Sequence, residues 1–256
     1  MRNICGFILL IILNSCTSSA AELNTEQSEA FPFTTLNERI LFIGNSFTFY
    51  FNLPLVVESM AAEKGIPLDV FQSTAGGASL KDHWNGNKKL STRSLIQKKS
   101  FSKVILQDYS TNPVMKTEES MRFFKKFITL LNKKDVEIYL YGTWPVPLMD
   151  GKKYPGIDPI QEALKPLESK NITIVPVGTA FRLFQKEYPN ISLFTSDNKH
   201  PSPVGVYLAS CVFLKVMTGV SPEGLFRRFD RKDESGKKVF LGMVEKSDAK
   251  KCHKIV

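Results

Sequence analysis

A chain of 256 residues with 43% hydrophobic and 11% aromatic content is long enough to bury one substantial core and too apolar to be intrinsically disordered. Its formal net charge of +9 and pI near 9.3 would suit a nucleic-acid partner. The lysines and arginines are scattered along the chain, however, so a solvated basic surface is the expectation and nucleic acid is not. The charge is densest between Arg227 and Lys251, in a basic C-terminal extension (227–256) that anionic envelope polymers or lipid headgroups would attract. The pattern loosens there, apart from Val239-Phe240-Leu241, which reads as a strand or packing segment.

The first element in chain order reads as an export signal. Arg2 and the amino group precede an apolar run at 5–13, too short to span a bilayer as a mature helix. Leu13-Asn14-Ser15-Cys16 resembles a bacterial lipobox, while Ser18-Ser19-Ala20 offers an ordinary signal peptidase a competing cleavage site. The lipobox is favoured. Residues 1–15 then form a signal peptide and Cys16 becomes a lipidated first residue that anchors the protein to a membrane of the bacterial envelope. A polar tether follows over 16–35. With Cys5 removed and Cys16 acylated, only Cys211 and Cys252 keep free thiols in the mature chain, so no disulfide framework is implied and a bridge between those two stays open.

Beyond the tether, compact apolar runs at 40–43, 68–72, 103–107, 136–141 and 172–177 read as strands. Helical periodicity separates them at 53–64, 118–131 and 159–168, and continues at 179–186 and 203–218. Gly65 and Gly219 suit helix ends, and Pro203 suits a first turn. This alternation predicts an α/β domain over 36–226: a flavodoxin-like three-layer sandwich around a five-stranded parallel sheet, with functional groups beyond the carboxyl ends of the strands.

Two segments at such ends carry chemistry. The strand at 40–43 runs into Gly44-Asn45-Ser46-Phe47-Thr48, and Asp197-Asn198-Lys199-His200-Pro201-Ser202 lies just ahead of the last helix. A serine hydroxyl is a poor nucleophile until an imidazole takes its proton and a carboxylate orients that imidazole. Of the three histidines, His200 is the best base because Asp197 precedes it by three residues; His83 follows the Gly76-Gly77 turn, and His253 lies in the charged tail.

These residues resemble the SGNH hydrolase superfamily, a branch of the GDSL-type esterases, over roughly residues 39–224. Gly44-Asn45-Ser46 resembles its first block and Asp197-x-x-His200-Pro201 its last. The resemblance implies an esterase with catalytic Ser46, His200 and Asp197. It also implies an oxyanion hole built from the Ser46 amide, the Gly77 amide (with Gly76 close behind) and a third donor. The third block departs from the family pattern: Gln107 stands at the strand end, in the manner of carbohydrate-active members, and Asn112 is the fallback donor. Acetyl esters of a carbohydrate or another extracytoplasmic substrate are the implied targets. A lipase or lysophospholipase, and an inactive glycan-binding scaffold, are the rivals. Trp144 and His83 are candidate substrate contacts, Trp144 as a sugar-stacking face. No metal or cofactor is expected, for want of a His/Cys cluster or a phosphate loop. The oligomeric state is not legible.

Overall fold

The computed structural model describes residues 37–145 and 158–256. Five strands, β1 (Glu38–Gly44), β2 (Leu68–Thr74), β3 (Lys103–Leu106), β4 (Glu137–Tyr141) and β5 (Ile172–Val175), form one parallel sheet in the order β2-β1-β3-β4-β5. That is the flavodoxin-like order, in which the direction of strand addition reverses between β1 and β3 and opens a crevice at their carboxyl ends.

Side chains alternate across the strands, so a sheet covered on both sides needs apolar residues at successive positions. In β1, Ile40 and Phe42 face one layer and Leu41 and Ile43 the other, all four fully buried. The first layer contains α2 (Leu53–Glu63), α8 (Val177–Glu187) and α9 (Pro203–Thr218). The second contains α3 (Leu80–Asn85), α4 (Thr92–Lys98), α6 (Thr117–Asn132) and α7 (Pro159–Leu164). Phe42 also meets Phe213 of α9 edge-on, with ring centroids 5.4 Å apart. Truncating Phe42 to alanine would open a cavity costing about 3–5 kcal/mol.

The expected architecture stands, with local differences. Prolines account for two of them. The helix expected at 159–168 stops at Leu164 and tightens into a 3₁₀ turn over Lys165–Leu167, because Pro166 lacks the donor an α-helix needs. Strand β5 ends at Val175, and Pro176 immediately precedes α8, which takes Val177 out of the strand. The short helices α3, α4 and α5 (Asn112–Met115) were not expected.

The largest difference lies at the C-terminus. Strands β6 (Arg228–Lys232) and β7 (Lys238–Met243) pair as an antiparallel hairpin, and helix α10 (Lys246–Ile255) follows. Phe229, Leu241, Val244, Ala249 and Cys252 are buried in the same cluster as α2 and α9, so this stretch completes the core rather than trailing from it. Cys211 and Cys252 are buried free thiols. The expected signal peptide, the Cys16 lipidation site and the tether lie outside the described residues.

Candidate active site

Strand β1 lies inside the sheet and delivers Ser46 to the crevice. Asn45 caps the short helix α1 (Ser46–Phe49), its Oδ1 accepting from Phe47 N at 3.0 Å and its carbonyl from Thr48 N at 2.9 Å. The chain can turn so sharply because residue 44 is glycine: a Cβ there would collide with Thr48 Oγ1 and Gln107 Oε1. Asn45 Nδ2 donates to Ala78 O at 2.9 Å, which brings the Gly76-Gly77 turn beyond β2 alongside the serine loop. Gly77 is exposed at φ +61° in that turn. Neither its N–H nor that of Ser46 has an acceptor among the described residues.

The floor of the serine loop is a buried polar network. Gln107, 1% exposed, accepts from Asn45 N at 2.8 Å and from Thr48 Oγ1 at 3.0 Å, and its Nε2 donates to the Asp108 carbonyl. The expectation that Gln107 supplies the third oxyanion donor is therefore corrected: its acceptor end faces the serine loop and its donor end is engaged elsewhere. The fallback, Asn112, is also buried, with Nδ2 at 3.5 Å from Asp108 Oδ1.

Asp108 ties the second and third loops together. Its Oδ1 accepts from Leu80 N at 2.8 Å and Tyr109 N at 2.7 Å, and its Oδ2 accepts from Ser120 Oγ at 2.7 Å. Burial raises its pKa despite these donors.

His83 is likewise interior, at 1% exposure. Its Nε2 lies 3.0 Å from Gly44 O and its Nδ1 2.8 Å from Thr92 Oγ1. A carbonyl only accepts, so Nε2 carries the proton and Nδ1 accepts from Thr92. Burial pushes the imidazole pKa down to about 4. The expected substrate contact at His83 is corrected to a neutral brace under Gly44.

The other half of the site is a short turn ahead of α9. Thr195 N donates to His200 O at 2.9 Å and Asn198 adopts φ +53°, closing the loop that carries Asp197 and His200. Asp197 Oδ1 accepts from Thr195 Oγ1 at 2.7 Å and from Lys199 N and His200 N at 2.9 Å each. Its Oδ2 lies 2.5 Å from His200 Nδ1, and His200 Nε2 lies 2.8 Å from Ser46 Oγ. The hydrogen bonds to His200 and Thr195 hold the Asp197 carboxyl well below the usual carboxylate range. An ionised Asp197 accepts a hydrogen bond from Nδ1–H and so leaves the Nε2 lone pair facing the serine hydroxyl.

Aromatic rings orient the imidazole. Tyr50 stacks on His200 with centroids 4.2 Å apart and planes within 11°, and Phe47 meets it edge-on at 5.7 Å. Trp144 lies beneath, sandwiched between Phe47 at 4.6 Å and Phe181 at 4.5 Å. At 1% exposure, with Nε1 donating to Lys199 O at 3.0 Å, it has no face left for a sugar. That expectation is corrected: Trp144 holds the His200 loop from below.

Solved structures carry the same arrangement of elements. A protein from Slackia heliotrinireducens assigned to the SGNH hydrolases matches 71% of this chain and 100% of its own at 22% identity, with TM-score 0.58. The chain has the SGNH hydrolase fold. A DUF4886 family protein from Bacteroides uniformis matches 86% of this chain and 93% of its own at 15% identity, with TM-score 0.63. An acetyl xylan esterase, AlAXEase, matches 70% of this chain and 98% of its own at 13% identity, with TM-score 0.54. No family model and no curated protein matches the chain.

On this SGNH hydrolase scaffold the structure brings together Ser46, His200 and Asp197, all expected from the sequence. Tyr50, Asp108 and Thr195 were missed. An aromatic run straight after a candidate nucleophile, Phe47 to Phe51, was the available signal for Tyr50.

Proposed function

We propose that the protein is a serine esterase that removes short acyl groups, acetyl foremost, from a carbohydrate or related ester outside the cytoplasm. One observation carries this reading: the continuous hydrogen-bonded path from Ser46 Oγ through His200 to Asp197, at 2.8 and 2.5 Å. Ser46 attacks the ester carbonyl as its proton passes to His200 Nε2, and Asp197 stabilises the imidazolium without taking the proton. The imidazolium then protonates the leaving alkoxide, and water, activated by the same imidazole, hydrolyses the acyl-serine. The N–H groups of Ser46 and Gly77 are the donors for the tetrahedral oxyanion; loss of one such donor typically costs about 10²–10³ in rate.

The acetyl and carbohydrate preference rests on the family resemblance and on the acetyl xylan esterase among the structural neighbours. Export and a lipid anchor at Cys16 rest on the N-terminal sequence. The test is acetate release from acetylated xylan and other acetylated glycans, alongside p-nitrophenyl acetate. Release by the wild type and none by Ser46→Ala is expected; labelled Ser46 without acetate release from any glycan would refute the substrate assignment.

A specific feature favours a second reading, a lipase on the same triad. An apolar cleft of about 130 Å³, lined by Phe51, Val206, Phe240 and Met243, starts one residue beyond Tyr50. A preference for p-nitrophenyl esters of eight or more carbons over the acetate would favour it.

A further inference from the structure

A second cavity lies among the C-terminal elements, and no triad residue lines it. It measures about 760 Å³ and is bounded by Arg227, Phe226, His253 and the row Lys246, Lys250 and Lys254 of α10. Four residues along an α-helix advance about 6 Å and return to the same face, so the three ammonium groups form a line along one wall. All three lysines are exposed and none has an ion-pair partner among the described residues. Glu223 is the one carboxylate among the lining residues.

The walls are fixed from behind. Arg227 Nη1 donates to Val244 O at 3.1 Å, and both oxygens of Glu63 accept from Phe226 N, at 2.9 and 3.1 Å. This leaves the Phe226 ring 67% exposed. His253 Nε2 lies 2.9 Å from Tyr207 Oη, which donates to Phe226 O at 2.9 Å.

These features select among anions. A cavity of this size falls within the roughly 300–1,000 Å³ of small-ligand sites. A line of unpaired cations repels itself when empty and is relieved most by a ligand with repeating negative charge. An exposed aromatic ring beside it suits the apolar face of a sugar. A membrane surface fits poorly, because the apolar side of α10, Ala249 and Cys252, is already buried in the core, so the lysine-bearing helix has no apolar face of its own to insert.

We propose that this cavity is a binding site for an acidic oligosaccharide, with successive acid groups along Lys246, Lys250 and Lys254, a further one at Arg227, and a sugar ring against Phe226. The site requires no catalysis, so it stands apart from the esterase reading.

The experiment is titration calorimetry on the whole chain carrying Ser46→Ala, at low salt, with tetragalacturonate, neutral galactotetraose and vesicles of phosphatidylcholine with phosphatidylglycerol. Tetragalacturonate alone should bind, more weakly as salt rises. The variant Lys246→Ala/Lys250→Ala/Lys254→Ala should weaken it at least tenfold. Lys98→Ala/Lys133→Ala/Lys170→Ala, which removes the same charge elsewhere, should leave affinity within about twofold. Phe226→Ala should weaken binding severalfold without changing its salt dependence. Equal loss in the two triple variants, no binding of tetragalacturonate, or lysine-dependent binding of the vesicles only would overturn the proposal.

Discussion

The two halves of the candidate active site are held by opposite means. Around Ser46 the polar groups are interior: Asn45, Gln107, His83 and Asp108 are all buried, and their side chains bond backbone groups at the end of β1 and in the loops beyond β1, β2 and β3. Around His200 the carboxylate is 47% exposed and the imidazole 17%, and order comes from one local turn plus the rings of Tyr50, Phe47 and Trp144. Long-range buried hydrogen bonds position the candidate nucleophile; a short turn and aromatic packing position the candidate base. The serine half should therefore fail through stability, and the histidine half through rate.

The largest expected effects test the histidine half. His200→Ala should lower kcat on p-nitrophenyl acetate by at least about 10³. Asp197→Asn should lower it by about 10² or more through the wrong tautomer. Because Asp197 is exposed, its contribution to folding is screened, and thermal unfolding of Asp197→Asn should differ from wild type by less than about 1 kcal/mol.

Gln107→Leu tests the serine half. It strands the Asn45 N–H and the Thr48 hydroxyl, at about 1–3 kcal/mol per buried unsatisfied group. Denaturant unfolding should show that loss, with the surviving folded enzyme also slower. A Gln107→Leu protein as stable as wild type would dissolve the contrast.

The pH dependence of stability sharpens it further. His83 has a folded pKa of about 4 against about 6.5 in an unfolded chain. Between those values the unfolded state binds the extra proton, so folding loses stability as pH falls from about 6.5 to 4, by on the order of 3 kcal/mol. Asp158, raised to about 6 by burial, and Asp108, also raised, oppose this, because each gains stability as pH falls through its folded pKa. The measurement is therefore the difference in unfolding free energy between wild type and His83→Gln across pH 4–7. That difference should shrink toward pH 4; a constant difference would show that His83 does not titrate as a buried neutral brace.

The smallest expected effect concerns Tyr50. Tyr50→Leu should lower kcat severalfold with KM nearly unchanged, because the ring orients His200 rather than binding substrate, and Tyr50→Phe should restore the rate. A rise in KM alone would make Tyr50 a substrate contact instead.

Some of this was legible in the sequence for identifiable reasons. The strands of a doubly covered parallel sheet are unbroken apolar runs, and the Asp-x-x-His turn is local, so Asp197 and His200 declare their pairing within four residues. Gln107 was placed correctly at the end of β3 but given the wrong task. An amide carries a donor and an acceptor, and only the fold decides which end meets the serine loop. Trp144 suits a sugar platform or a core equally well until Phe47 and Phe181 are seen to cover both faces. Of the C-terminal elements only β7 was legible, through Val239-Phe240-Leu241; composition obscured α10, where the buried Ala249 and Cys252 give a weak apolar signal among lysines.

The central claim is that Ser46 is a nucleophile activated by His200. Its most direct measurement is mass spectrometry of the protein after exposure to a fluorophosphonate probe. The wild type should carry one adduct, on the peptide containing Ser46, and His200→Ala should acquire it at least about 10³-fold more slowly. No adduct on the wild type, or an adduct whose rate is indifferent to His200, would contradict the account.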